Sequence, residues 1–344
     1  MLVDITHPAH VHFFRNSINV WTEKGHTVII ASRDKDLTIP LLDCLDLQHT
    51  PLGTASTTQV GLAVELIRRS GRLRSFACHT RPDVMTAIAG TFIAPVGKWL
   101  GIPTVTFYDT EHAAVSNLIV YPLSTHLVVP SCYRKNIRRH HERYDGYHEL
   151  SYLHPKYFTP DSSVLDTLGV SMTDPFVILR FVSWTSGHDF GHSGMSLAMK
   201  RKAVSAFSQH AKVYITSEKA LPEEFEPYRI PLPPDKMHDA LAYATLLYGE
   251  SATMASEAAV LATPAIYLDN TGRGYTDEQE RVYGAVFNFT ESPEDQERSI
   301  AKGVELLTTD GVKDAWRVKR DRILSDKIDV TSYVVDFIEK AGKS

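Results

Sequence analysis

The chain reads as an α/β protein built from two Rossmann-like domains, and three observations predict this. Short apolar runs of strand length alternate with helical patterns along most of its 344 residues. Strand, helix and strand follow one another at βαβ spacing, which implies parallel sheets with right-handed crossovers. The series also begins twice, once at residue 2 and again near residue 175, with room for two ordinary domains.

The first series opens on residues 2–5 (LVDI), a minimal strand. THPAHVHFFRN follows and passes into a helix ending at residue 23, closed by Lys24-Gly25. Residues 26–32 (HTVIIAS) form the second strand. Helical spacing returns over 37–45 and 62–76. Asp34-Lys35-Asp36 precedes the first of these, and a helix cap is expected of it rather than a metal site. Residues 82–87 read as a buried strand opening into Gly90-Thr91, residues 93–100 as a helix stopped by Gly101, and 103–108 and 126–130 as further strands. Residues 147–160 (YHELSYLHPKYFTP), with Pro155 and Pro160, read as a linker. The expected division is 1–160, 161–320, and C-terminal helices over 321–344.

The second series starts with PFVILRFVS, a strand carrying Arg180. The loop after it holds Trp184, His188, Asp189 and His192. A helix to residue 207 and the strand KVYITS follow. Residues 234–269 then show helical spacing over 237–244, where His238 lies, a strand over 245–248, a small-residue loop over 250–253, an Ala-rich helix over 254–262, and the strand AIYLD after Thr263-Pro264. Ser251, Ala252 and Thr253 leave backbone N–H groups open at a helix start, and the positive dipole end makes that an anion site. Glu257, one turn along, stands near whatever binds, an arrangement suited to a phosphorylated sugar whose ribose the acid holds. The same residues also serve as a plain helix cap with an acid complementing the dipole.

Charge is uneven. Residues 1–160 hold 16 basic and 13 acidic residues, net +3, and the remainder 20 and 28, net −8. Two basic clusters, Arg68-Arg69…Arg72…Arg74 and Arg134-Lys135…Arg138-Arg139-His140-His141, read as solvated helix faces or as attraction to an acidic acceptor or anionic membrane. The overall charge of −5 and the lack of a recognition motif argue against nucleic acid, and none is expected as a partner. No apolar run reaches the roughly 18 residues of a membrane span. Cys44, Cys78 and Cys132 are odd in number and not in metal-like spacing, which suits a reducing cytosol. No signal peptide is expected, and the protein is placed in the cytoplasm, peripheral at the inner membrane face.

The stretch 234–269 resembles the donor-site segment of GT-B glycosyltransferases, especially the N-acetylglucosaminyl transferase that completes lipid II, and of the related UDP-GlcNAc 2-epimerases. Ser256-Glu257 matches a Ser-Glu pair there, with the glutamate on the ribose. Glu250 departs from the usual glycine-rich loop, and a carboxylate there repels a diphosphate unless it turns away. RPDVMTAIAGTFIAPVGKWLGIPTVTFYDTEHA is similar to the first domain of that transferase. Ala9-His10-Val11 falls where those enzymes have a Gly-His-Val turn facing the reaction centre. VDITHPAHVHFF and RFVSW…GHD…G most resemble an uncharacterised archaeal and bacterial family of predicted glycosyltransferases.

The resemblance implies a GT-B fold, two Rossmann-like lobes facing across a cleft, and transfer from a nucleotide-sugar, a UDP-sugar, to a hydroxyl acceptor without metal or cofactor. It implies a glycan or lipid-linked acceptor at the membrane surface. His10, Glu111 and His112 are the catalytic candidates, because a base near neutrality removes an acceptor proton. Arg180, Trp184, His188, His238, Ser251, Ala252, Thr253, Ser256 and Glu257 are donor-binding candidates, and His7, His12, Gly90 and Asp109 acceptor-side ones. The alternatives are an epimerase and a non-catalytic nucleotide-sugar binder. The epimerases keep an acid where this chain has Gly90, and another in the stretch matched by the acid-free AAVSNLIVYP.

Overall fold

A computed structural model of the chain describes residues 1–56, 58–111, 114–137, 141–182, 194–217 and 220–343. The chain forms two compact units, Met1–Tyr157 with Lys327–Ser344, and Phe158–Asp326.

The first unit runs β1 (Leu2–Ile5), α1 (Pro8–Glu23), β2 (Ile29–Asp34), α2 (Thr38–Cys44), β3 (His49–Thr54), α3 (Gln59–Thr80), β4 (Met85–Ile88), α4 (Ile93–Leu100), β5 (Thr104–Phe107), α5 (Ala114–Leu123), β6 (His126–Pro130), β7 (His141–Tyr144) and α6 (Leu150–Leu153). Its strands form one parallel sheet in the order β3-β2-β1-β4-β5-β6-β7. β1, β4 and β5 are buried along their whole length, as strands covered by helices on both faces must be. α1 starts at Pro8, whose missing N–H costs nothing there. Its Phe13, Phe14 and Trp21 fill the core. Beneath the sheet Arg69 donates to both carboxylate oxygens of Asp4, at 3.0 and 2.5 Å, and lies over the Phe92 ring.

The second unit runs α7 (Val164–Leu168), β8 (Phe176–Arg180), α8 (Leu197–Phe207), β9 (Lys212–Thr216), α9 (Met237–Tyr243), β10 (Leu246–Gly249), α10 (Ala252–Val260), β11 (Ala265–Leu268), α11 (Gly274–Arg281), β12 (Val286–Phe289), α12 (Pro293–Thr308) and α13 (Val312–Asp326). Its parallel sheet has the order β12-β11-β10-β8-β9. Val177, Leu179, Phe207, Leu246, Tyr248, Ile266 and Trp316 share its core. The last helix, α14 (Val330–Ala341), belongs to the first unit, where Asp329 caps it and Val330, Val334 and Ile338 bury against α1 and α6.

Several local expectations are corrected. β3, β7 and β12 have no counterpart in the sequence reading, and all three are edge strands, so their exposed polar residues hide the strand pattern. Residues 147–160 hold α6 and the buried Tyr147, His148 and Glu149 rather than only a linker. Asp34-Lys35-Asp36 caps no helix: Asp36 takes a left-handed turn, and the N-cap of α2 is Leu37, without a side-chain bond. Arg69 is neither solvated nor open to a ligand, because the Asp4 carboxylate engages it in the core.

Candidate functional site

In an open α/β sheet, ligands bind at the carboxyl ends of the strands where the connections diverge to opposite sides. In the second unit that point lies between β8 and β10. Gly249 ends β10 at φ 151°, where an added Cβ would stand 2.0 Å from the Arg180 carbonyl oxygen. Only glycine lets the two strands meet so closely, and the turn then delivers Glu250 and Ser251 to the sheet edge. Ser251 caps α10, its Oγ accepting from the Met254 N–H at 3.3 Å. The helix begins at Ala252, two residues before the expected start, so Ala252 and Thr253 present first-turn N–H groups.

Behind that end, Glu257 is 5% exposed, and His238 Nε2 on α9 donates to its Oε1 at 2.9 Å. Ser256 is fully buried, and its Oγ accepts from Gln279 of α11 at 2.7 Å, which makes it a packing link. Glu250 is tied inward. Its carboxylate accepts from the N–H groups of Val182 at 2.8 Å and Met195 at 2.5 Å, with the buried Lys200 ammonium 3.6 Å away. Burial pulls the Lys200 pKa down, and Glu250 pulls it back. Arg180, half-buried at the end of β8, accepts from the Glu250 N–H through its carbonyl. Trp184 and His188 lie outside the described residues.

A turn that the sequence reading did not single out adjoins this edge. After β11, Asp269 accepts from the N–H groups of Thr271 at 2.7 Å and Gly272 at 2.8 Å. Burial acts to raise the Asp269 pKa, but these bonds and that of the Thr271 hydroxyl outweigh it and hold the carboxyl below its usual range. Arg273 closes the turn at the start of α11. The D-x-T-G turn form was the available signal.

The corresponding point of the first unit lies between β1 and β4. His7 caps α1, its Nδ1 accepting from the Ala9 N–H at 3.2 Å. His10 is buried, its ring centroid 5.8 Å from that of His7. Thr6 meets His10 Nδ1 with both its N–H, 3.4 Å, and its hydroxyl, 3.3 Å. The His10 pKa is pushed well down, first by burial and then by His7, while Asp109 pulls it up and His148 and Lys35 pull it down. His148 Nδ1 donates to Asp109 Oδ2 at 3.1 Å. Burial acts to raise the Asp109 pKa, yet His148, Thr110 and His10 together hold it down at about 2.

The structure thus groups His7, His10 and Asp109 with His148, which sequence reasoning missed. His148 is held by Phe13, 4.6 Å away, and by the parallel Tyr144 ring. Its signal was faint, a lone histidine in a stretch without period.

Two other candidates stand apart from that group. His12, buried one turn along, stacks on Tyr152 at 5.4 Å. Glu111 is buried too, its Oε1 accepting from the Arg134 N–H at 3.2 Å, beside the hydrogen-bonded Tyr121–Tyr133 pair. Gly90 has φ 57°, and a Cβ there would meet Thr106 Oγ1 at 2.3 Å. His112 lies outside the described residues. Among the described residues, no three of His, Cys, Asp and Glu are grouped to hold a metal ion, and no helix is long and apolar enough to cross a membrane.

Residues 1–272 match the model of a family described as protein of unknown function, DUF354. The uncharacterized protein MJ0665 of Methanocaldococcus jannaschii is 22% identical over 277 residues, 77% of this chain and 80% of its own length. Solved structures share the architecture. The spinosyn rhamnosyltransferase SpnG superposes with a TM-score of 0.64 at 15% identity, over 98% of this chain and 100% of that one. MurG of Acinetobacter baumannii gives 0.60 at 14% identity, over 98% and 99%. The UDP-GlcNAc 2-epimerase of M. jannaschii gives 0.61 at 13% identity, over 94% and 99%. The fold is that of GT-B glycosyltransferases and of this epimerase.

Proposed function

The chain belongs to the DUF354 family, and on that premise we propose that it is a GT-B glycosyltransferase, moving a sugar from a UDP-sugar to a hydroxyl acceptor without a metal ion. The observation that carries the reading is the buried His238–Glu257 pair behind the N-terminus of α10, at the switch point of the second unit's sheet. First-turn N–H groups at Ser251, Ala252 and Thr253 hold the diphosphate and offset the charge that develops as it departs. Glu257, braced by His238, holds the ribose. Glu250 presents no obstacle to an anion, since two N–H groups and Lys200 compensate its charge. Arg180, Trp184 and His188 complete the donor side.

On the acceptor side, His10 is the base. Its depressed pKa keeps the imidazole neutral near pH 7, the form that accepts a proton. Asp109, ionised at neutral pH, stabilises the imidazolium that forms. Glu111, buried on the following turn, orders the acceptor side through the Arg134 N–H, with His112 beside it in sequence, while His7 lines the approach to His10 and His12 packs behind it. The acceptor is a glycan or a lipid-linked glycan, met in the cytoplasm at the inner membrane face.

Gly90 weighs against epimerisation. The acid that resemblance assigns to that position has no room beside Thr106 at a left-handed φ.

The test is thermal unfolding against a panel of nucleotides and nucleotide-sugars, since a ligand that binds only the folded state raises the melting point. UDP and UDP-sugars are expected to raise it, and no response to any member overturns the reading. Incubation with UDP-GlcNAc in deuterated water is expected to leave C2 free of deuterium. Incorporation there that Glu111→Gln abolishes would establish the epimerase instead.

A further inference from the structure

His148 has no task in the proposed chemistry, yet elements from both ends of the chain converge to hold it. It stands just before α6, and its carbonyl accepts from the Ser151 N–H at 3.0 Å and the Ser151 hydroxyl at 2.7 Å. The Ser151 carbonyl is taken in turn by Asn16 of α1 at 2.8 Å and by Thr331 of α14 at 2.6 Å. Around the ring, Phe13 of α1 packs with its centroid 4.6 Å away, and the Tyr144 ring lies parallel at 6.4 Å. Tyr144 is itself backed by Tyr333 of α14 at 5.2 Å. His148 is 7% exposed, and a ring packed from both sides has little room to turn.

Among the described residues this ring makes a single hydrogen bond, from Nδ1 to Asp109 Oδ2 at 3.1 Å, while Nε2 is buried without a partner. Nδ1 faces an ionised carboxylate, so it carries a proton in either charge state of the ring. The other carboxylate oxygen, Oδ1, accepts from the hydroxyl of the adjacent Thr110 at 2.9 Å, a rotor able to follow Asp109 as it turns. The Asp109 side chain keeps 20% of its surface exposed, so water is available to it without His148. What the fixed imidazole adds is direction. Phe13 lies one turn after His10 on the same face of α1 and touches both His148 and Phe107, the last residue of β5. That face of α1 therefore lies over the strand end from which Asp109 projects.

We propose that His148 is a positioning residue, whose Nδ1–H holds the Asp109 carboxylate beside His10 within a frame that includes the last helix, α14. Asp109 then meets the imidazolium of His10 in one fixed orientation, and no reorganisation is left for the moment of proton transfer. The inference rests on the reading of His10 as the base, but its test needs neither donor nor acceptor.

The titration of His10 is followed by NMR in the full chain carrying isotope-labelled histidine. Asp109→Asn is expected to lower the His10 pKa, because Asp109 acts to raise it. His148→Phe keeps a ring between Phe13 and Tyr144 but removes the donor, and in that background the drop caused by Asp109→Asn should shrink to about half or less. His148→Asn places an amide donor where Nδ1 stood and should restore most of the drop. His148→Leu is the second variant without a donor, for use where phenylalanine disturbs the packing. His7 and Lys35, which also face His10, are unchanged in every protein compared. Equal drops in all backgrounds overturn the proposal. The His148 Nδ1 proton should also give an imidazole N–H signal that persists in water and that Asp109→Asn removes, and its absence from the unaltered protein overturns the proposal as well. Unequal drops support the positioning role whatever the nucleotide panel shows, whereas silence in that panel removes only the reaction.

Discussion

Replacing Glu257 with alanine tests the donor site at its most buried point. The carboxylate is 5% exposed and takes the His238 Nε2–H at 2.9 Å. Its loss acts in two ways that can be measured apart. Within the fold, the His238 donor at Nε2 loses its acceptor away from water, which costs about 1–3 kcal/mol of stability. Toward the ligand, UDP loses the group assigned to its ribose, a charged hydrogen-bond partner worth roughly 1.5–3 kcal/mol. UDP affinity should therefore fall by about 10- to 150-fold, read by calorimetry well below the melting point. His238→Ala should give a smaller loss, and the double variant less than the sum of the two, since the residues act as a unit. Unchanged UDP affinity in a folded Glu257→Ala protein refutes the donor assignment.

Three further predictions concern the first unit. The acid limb of the pH–rate profile should lie below the ordinary histidine value of 6.5, because burial and His7 depress His10, and activity should drop as pH falls through that limb. Asp109→Asn removes the one group raising the His10 pKa and should move the limb lower still, whereas a limb unmoved by either His10→Gln or Asp109→Asn would dismiss His10 as the base. Gly90→Ala forces a Cβ to 2.3 Å from Thr106 Oγ1 at a left-handed φ. A loss of about 2 kcal/mol or more is expected in urea unfolding, and an unaltered midpoint would show the loop to be compliant. Asp4→Ala strands the Arg69 charge in the core and should cost about 3–5 kcal/mol, with Asp4→Ala/Arg69→Met recovering much of it.

The sequence by itself determined the parts of this protein whose environment is uniform along the chain. β1, β4, β5, β8 and β10 lie inside their sheets, so burial on both faces writes them as short, mostly apolar runs without the polar alternation of a half-exposed strand. The presence of α10, though it starts two residues earlier than expected, was legible for a related reason: Ser251 and the alanines beyond it are local chemistry, capping and helix propensity, needing no distant partner.

Tertiary structure decided what depends on position in the assembled sheet. β3, β7 and β12 are edges, half in water, and carry Pro51, Glu142 or Asn288 where a central strand carries apolar side chains. Arg69 looked like its exposed neighbours until the sheet set Asp4 against it. The orientation of Glu250 was open until the chain on either side of the 183–193 stretch supplied the N–H groups of Val182 and Met195. His148 comes to Asp109 only because β7 closes the sheet edge and α6 folds back on α1. No local pattern encodes such a meeting: it is a contact between residues far apart in sequence, made by sheet order and packing rather than by the residues' own propensities.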